Sequence, residues 1–203
     1  MHRVKIVFFI LLSFTSVHGQ SFFKGSAVFG FTTSQIDGDE LAGYHKYGIT
    51  GGVKVEFPLS STLDMGLEFL YEQRGSRTSI YNNIFEQTYK FHLDYISLPL
   101  VIKWSDWWIE DQGYYKFNLH AGVVNAYLVN FDIEESPVAI TGTLNNYDLG
   151  FMIGGGFAFT KRWVVTLRYN RSILPLYMAE PIAGLEVRRL VGYFITLRSE
   201  FNF

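Results

Sequence analysis

From Gln20 to the last residue the dominant pattern has period two. In the final stretch, Val191, Tyr193, Ile195, Leu197, Ser199, Phe201 and Phe203 share one face, and Gly192, Phe194, Thr196, Arg198, Glu200 and Asn202 the other. Around Met65, the set Leu63, Met65, Leu67, Phe69 and Tyr71 alternates with Asp64, Gly66, Glu68, Leu70 and Glu72. A helix would smear these sets around its circumference, whereas a strand sorts them onto opposite sides. Carried along the chain, the pattern predicts eight long strands near 22–34, 46–58, 62–77, 87–104, 113–128, 146–160, 163–177 and 189–203. Alternation blurs from Ile96 to Pro99, so a β-bulge is expected there. The connections alternate in length. Tight turns fall at 58–61 and 161–162, a medium one at 105–112, and longer polar segments at 35–45, 78–86, 129–145 and 178–188. Short turns at one end and long loops at the other are the layout of an up-and-down barrel that spans an outer membrane.

Such a barrel is all-β, antiparallel and eight-stranded, and could be turned either way. A soluble ligand carrier of the lipocalin kind puts its apolar face inside, and a membrane barrel puts it outside. Strand length favours the membrane, since ~9–11 tilted residues span a bilayer. The placement of Tyr71, Tyr89, Tyr127, Tyr147, Trp163, Tyr169, Tyr193 and Phe203 near strand ends suits girdles at the two interfaces. Phe203 at the end of the sequence also fits the cue read by the outer-membrane assembly machinery. The opposite face carries Lys24, Lys54, Glu56, Asp64, Glu68, Glu72, Arg74, Lys90, His92, Asp94, Lys116, His120, Arg168, Arg198 and Glu200. An eight-stranded barrel is only wide enough inside for side chains. Charges of both signs in that space must pair, and the expected result is a plugged lumen with no diffusion pore.

Residues 1–19 break the pattern. Arg3 and Lys5 precede an apolar run from Ile6 to Phe14, and Val17 and Gly19 occupy the slim positions before a cut. This is the grammar of a cleaved signal peptide, and the run is too short for a spanning helix. The reading divides the chain into a leader, 1–19, and a barrel domain, 20–203. Composition agrees: aromatics make up 18%, with 19 Gly against 5 Pro, which suits strands and turns. With no Cys there is no disulfide scaffold, thiolate metal site, cysteine nucleophile or lipoprotein anchor. Without Arg3 and Lys5 the chain keeps 15 basic and 19 acidic residues, a net of −4, so nothing recommends nucleic acid as a partner.

Several constellations invite chemistry and do not reach it. His92, Asp94 and Ser97 suggest a hydrolase, but a triad needs contact rather than closeness in sequence, and Ser97 falls on the other face. Asp37-Gly38-Asp39-Glu40 supplies three carboxylates where a calcium loop needs six or more oxygens. His45 and His120 lack metal-ligand spacing. Gly154-Gly155-Gly156 lacks the Lys-Ser/Thr of a phosphate loop and reads as close packing at a bend. Trp107 and Trp108 are expected in a periplasmic turn as interfacial anchors or a partner contact. No catalytic, cofactor-binding or metal-binding residue is assigned, and no cofactor.

The segment Ser34–Phe57, the stretch Leu67-Glu-Phe-Leu-Tyr-Glu-Gln-Arg-Gly75, the stretch Tyr95-Ile-Ser-Leu-Pro99 and the leader ending before Gln20 resemble the PorT-like outer-membrane β-barrel family of Bacteroidetes. Where that family often has an acid between Tyr and Pro, this chain has Ser97. The resemblance implies an outer-membrane barrel in contact with lipid and with the assembly machinery, but no single activity. One namesake member is linked to type IX secretion. The leading reading is a non-enzymatic envelope or interaction protein, with envelope or secretion-system proteins as candidate partners. The alternatives are an outer-membrane enzyme hydrolysing lipid or peptide at the barrel mouth and, less favoured, a soluble ligand-binding barrel.

Overall fold

The computed structural model describes residues 23–39, 41, 43–78, 89–134, 144–178 and 189–203. The proposed leader lies outside them, as do most of the segments 78–86 and 178–188. Eight long strands form the wall: β1 (Lys24–Asp37), β2 (Lys46–Pro58), β3 (Leu63–Arg77), β4 (Lys90–Ile109), β5 (Tyr114–Glu134), β6 (Tyr147–Ala158), β7 (Trp163–Ser172) and β9 (Arg189–Asn202). A two-residue β8 (Tyr177–Met178) pairs with Leu190 and Arg189 of β9. Each long strand is antiparallel to the next, and β1 closes on β9 from Ser26↔Asn202 to Asp37↔Val191. Closure gives every long strand a partner on both sides.

Two of the short turns are built alike. Leu59 and Ser60 both donate backbone N–H groups to Leu63 O, and Ser60 Oγ accepts from Leu63 N. Phe159 and Thr160 repeat this against Trp163, with Thr160 Oγ1 as the acceptor. The third turn is tighter than the sequence suggested, because β4 and β5 run on as a ribbon to Ile109 and Tyr114. Their neighbours stop earlier, at Leu63↔Trp104 and Phe117↔Phe157. Trp107 and Trp108 are therefore in a projecting strand and not in a turn. Trp107 adopts φ 63°, with its N–H held by Asp106 Oδ1 at 2.7 Å. At the other end β7 stops at Ser172, short of the expected 177.

The faces of β3 show the sorting plainly: Leu67 is 48% and Phe69 53% exposed, while Glu68 between them is 0%. The outward side of the wall is an apolar belt from Leu67 through Leu98, Leu100, Ile102, Leu119, Ile153 and Leu197. Tyrosines 47, 71, 127, 147, 169 and 193 occupy the outward positions toward the long-loop end. Phe57, Trp104, Phe117, Phe157, Trp163 and Phe201 occupy those toward the short turns.

Beyond the tyrosines the wall changes character. Even-numbered positions of β4 face outward, and they run Trp104, Ile102, Leu100, Leu98, Ile96 and then Asp94, His92, Lys90. Odd positions face inward and run Ser105, Lys103, Val101, Pro99, Ser97 and then Tyr95, Leu93, Phe91. The strand keeps its direction while the polarity of its two faces is exchanged. Tyr95, Leu93 and Phe91 join Ile36, Leu41, Leu128, Leu176, Tyr177 and Leu190 in a buried apolar cluster. This loop end is thus a cap of soluble-protein type, apolar within and polar without. Phe131, Val129 and Ile173 on its rim depart from this at 54%, 53% and 56% exposed, as do Asp39 and Ser76, both buried within.

This exchange corrects two expectations. Lys90, His92 and Asp94 belong to the outer face of the cap and not to the lumen. The blur at Ile96–Pro99 is the point of exchange and not a bulge. Pairing of β3 with β4 passes from Leu67↔Leu100 to Leu70↔Ser97 with no change of register, the gap falling beside Pro99, which has no N–H to donate. The true irregularity is between Asp94 and Tyr95 on the β5 side, where Asp94 faces Asn130 and Tyr95 faces Leu128, leaving Val129 as the extra residue.

Candidate functional site

The interior holds two groups of charges. The first begins at Glu68 of β3, whose carboxylate meets two arginines from the opposite wall. Arg168 donates NH1 to Oε2 and NH2 to Oε1, both at 2.8 Å, and Arg198 does the same at 2.9 and 2.8 Å. Paired two-pronged contacts of this kind are the strongest hydrogen bonds a carboxylate makes with side chains. Each arginine keeps further partners, His120 for Arg168 and both Glu200 and Thr166 Oγ1, at 3.0 Å, for Arg198. Arg168 Nε donates to His120 Nε2 at 2.9 Å, which makes that nitrogen an acceptor and leaves His120 Nδ1–H to face Asn118 Oδ1 at 3.0 Å. Arg198 Nε donates to Glu200 Oε1 at 2.8 Å.

From Glu200 the chain of alternating charge descends toward the short turns. Lys54 bridges Glu200 and Glu56, Lys103 bridges Glu56 at 2.7 Å and Asp64 at 3.0 Å, and Lys24 reaches Asp64 at 3.4 Å from an exposed position at the rim. Room for the large heads comes from glycine. A Cβ on Gly154 would lie 2.7 Å from His120 Nε2 and 2.8 Å from Arg168 Cγ, and one on Gly30 would lie 2.5 Å from Arg198 Cβ. The run of glycines is thus close packing around this network.

The second group is smaller and lies nearer the cap, with Leu70 and Met152, each 1% exposed, between the two. Arg74 donates NH1 to Asp148 Oδ2 at 2.9 Å, contacts Glu72 through NH2, and lies between the rings of Tyr95 and Phe194, 4.6 and 4.1 Å from their centres. Ser97 receives Arg74 NH2 at 3.1 Å and donates to Glu72, and Ser172 donates to Asp148 Oδ2 at 2.9 Å. Two carboxylates here share one guanidinium. Asp148 Oδ1 and Arg74 Nε are buried with no hydrogen-bond partner. Over this floor opens a small cavity bordered by Ile36, Leu93, Tyr95, Leu176 and Phe194.

The residues singled out for chemistry are not brought together. Ser97 points into the lumen toward Glu72, whereas His92 lies on the outer face, 3.1 Å from Asp94. Asp94 also accepts from Tyr71 OH at 2.9 Å and Asn130 Nδ2 at 3.0 Å. Asp37 ends β1 and Gly38 and Asp39 turn away from it, with Asp39 Oδ1 accepting from Leu41 N at 2.9 Å; Glu40 lies outside the described residues. Burial in the cap, with repulsion from Asp37, raises Asp39 to about 6 despite the Leu41 N–H. Among the described residues no three His, Asp or Glu converge as metal ligands would.

His45 lies in that loop segment and His120 in the lumen. Lys116 is at the short-turn end, 5.1 Å from the Trp107 ring. Sequence reasoning missed Lys103 and Asp148 as lumen charges. Lys103 shares a face with Val101 and Ser105, so its period was legible, and Asp148 follows directly on a tyrosine of the girdle.

Solved structures of similar form include Ail, the attachment invasion locus protein of Yersinia pestis, at 12% identity over 89% of this chain and 99% of that one, with a TM-score of 0.45. Neisserial surface protein A is similar at 10% identity over 91% and 99%, TM-score 0.45, and a de novo designed transmembrane β-barrel at 6% over 89% and 95%, TM-score 0.42. No curated protein matches the chain in sequence. The family described as outer membrane protein beta-barrel domain matches residues 19–177, most of the described wall, and the chain is a member of that outer-membrane family.

Proposed function

We propose that this outer-membrane barrel is a non-enzymatic envelope protein whose lumen is shut to ion flow and whose two ends make its contacts. The observation that carries the reading is the layer in which Glu68, from one wall, is gripped by Arg168 and Arg198 from the other, with all three side chains at 5% exposure or less. Opening this layer to water would separate a carboxylate from four charge-assisted hydrogen bonds, which a narrow barrel has no other groups to replace. Purified protein in planar bilayers tests it. The expected record is a closed baseline, and a large, steady open state overturns the reading.

The same proposal includes export through the leader, with Gln20 as the first mature residue, and insertion by the outer-membrane assembly machinery. N-terminal sequencing of outer-membrane material tests the cut. A narrower form places the chain among PorT-like barrels as an accessory of a secretion system. What supports it is the sequence likeness at Ser34–Phe57, Leu67–Gly75 and Tyr95–Pro99. Cross-linking in intact cells followed by identification of captured envelope proteins tests it, and capture of no secretion component counts against it.

A further inference from the structure

We infer that the cavity between the cap and the Arg74 floor binds a small apolar amine through Asp148. Three observations converge on this site. The first is charge. Glu72 and Asp148 are held by the one guanidinium of Arg74, so with both carboxylates ionised the floor carries one negative charge more than it balances. Among the described residues that line the cavity, Arg74 and Asp148 are the only charged side chains. A buried uncompensated charge is costly, and a ligand that supplies the missing cation recovers that cost.

The second is a vacant acceptor. Asp148 is 8% exposed and its Oδ1 has no partner, while Oδ2 already receives Arg74 and Ser172. An ammonium head has N–H donors to give such an oxygen. A hydrated divalent metal fits poorly, because it would ask for about six oxygen ligands where one carboxylate oxygen stands free.

The third is the wall. Ile36, Leu93 and Leu176 border the space above the floor. Apolar walls with a few fixed polar groups are the usual make-up of a small-molecule site. They offer nothing to a bare ion and something to a short hydrocarbon tail. A carboxylic acid is disfavoured by the sign of the floor, and an alcohol brings hydrogen bonds without the charge. The chemistry that fits all three is therefore a primary ammonium on a short apolar body, entering from the long-loop end.

The test uses the full barrel in nanodiscs of zwitterionic lipid, with backbone amide shifts of Gly192 and Phe194 as the reporters. The probes are n-butylammonium, n-butanol and n-butyrate, with empty nanodiscs as the control for partition into lipid. The expected result is saturable shifts with n-butylammonium, at least tenfold tighter than with n-butanol, and none with n-butyrate. D148N, which keeps the shape and removes the charge, should bring n-butylammonium down to the n-butanol level. D64N removes a carboxylate from the lower network and should leave binding unchanged. Equal affinity of amine and alcohol for the wild type overturns the inference, because the tail alone is then recognised. No saturable shift with the amine, or undiminished binding in D148N, overturns it as well. Should D148N fail to form a barrel, the wild-type comparison of amine with alcohol decides alone.

Discussion

The lower lumen and the cap at the long-loop end solve the same problem with opposite materials. In the lower lumen, charge is buried among charge and each carboxylate is matched in turn from Glu68 to Lys24. In the cap, Phe91, Leu93 and Leu190 are buried as in any soluble core, while Asp94, His92 and Asp132 face outward. The unpartnered buried polar side-chain atoms among the described residues lie at Asp39, Thr50, Arg74, Ser76, Arg77 and Asp148, all in the upper half. The difference teaches that an ion-paired interior can be fully satisfied when it is continuous. Imperfect satisfaction concentrates where a polar interior gives way to an apolar one.

Glu68→Leu should break the lower half most severely. It leaves two guanidinium groups buried without their shared carboxylate, and removal of one partner of a buried ion pair costs ~3–5 kcal/mol. Folding yield into liposomes, read by heat-modifiable gel mobility, should collapse. A yield equal to wild type would mean the arginines find other partners and the network is redundant.

Leu67→Arg breaks the outside of the same level. A lipid-facing arginine near the midplane costs ~2–4 kcal/mol. The paired test is Ile96→Arg, close to the tyrosine ring, where the depth dependence predicts a smaller penalty. Equal penalties at the two positions would contradict the immersion assigned to the wall.

Asp39→Asn sharpens the contrast from the cap side. Asp39 is raised in the fold from 3.8 to about 6, so the folded state holds its proton more tightly than the unfolded chain. Its contribution is fully present below the unfolded value, falls as pH rises through the window up to about 6, and stays flat above. At pH 8 the Asn variant should therefore protect the cap better than wild type, by ~3 kcal/mol at most. At pH 3 the two should agree. Hydrogen exchange at Ile36 and Leu41 measures this, and a wild-type advantage at pH 8 would reverse the sign.

The smallest effect is expected at Asp94→Asn. The hydrogen bonds from Tyr71 and Asn130 have an acceptor in either residue. Asp94 is only 7% exposed, but Asn keeps both bonds and only the contact with His92 loses its charge, so the cost should be ~1 kcal/mol. If His92 and Asp94 lined a polar lumen, the loss would rival that at Glu68, so a thermal or urea midpoint close to wild type separates the two placements.

Period two made the strand order, the turn lengths and the faces of β3 and β9 legible, because one side of each strand contrasts with the other over its whole length. It could not reveal the cap. Alternation reports that two faces differ in polarity, not which face is inside, and at Asp94–Ser97 that assignment changes while the backbone runs straight on. The same limit hid the ribbon: past Trp104 the outward apolar series ends at Asp106, yet pairing continues to Ile109↔Tyr114. The Glu68 layer was legible as mixed charge on inward faces. Its partners were not, since Glu68 and Arg198 are brought together only by closure of the sheet.

The exchange of faces in β4 also fixes how deeply the protein rides in its bilayer. Its outward hydrocarbon stretch runs only from Ile96 to Trp104. At ~3.3 Å per residue and a tilt of ~40° that is a slab of roughly 20 Å, near the lower end of what a barrel presents. One step of sinking would carry Asp94 and its hydrogen-bonded neighbours into acyl chains, and one step of rising would bring Asp106 against them. The barrel cannot bob. A thicker membrane must thin around it, and a thin one suits it as it stands, so bilayer thickness itself becomes a condition of its residence.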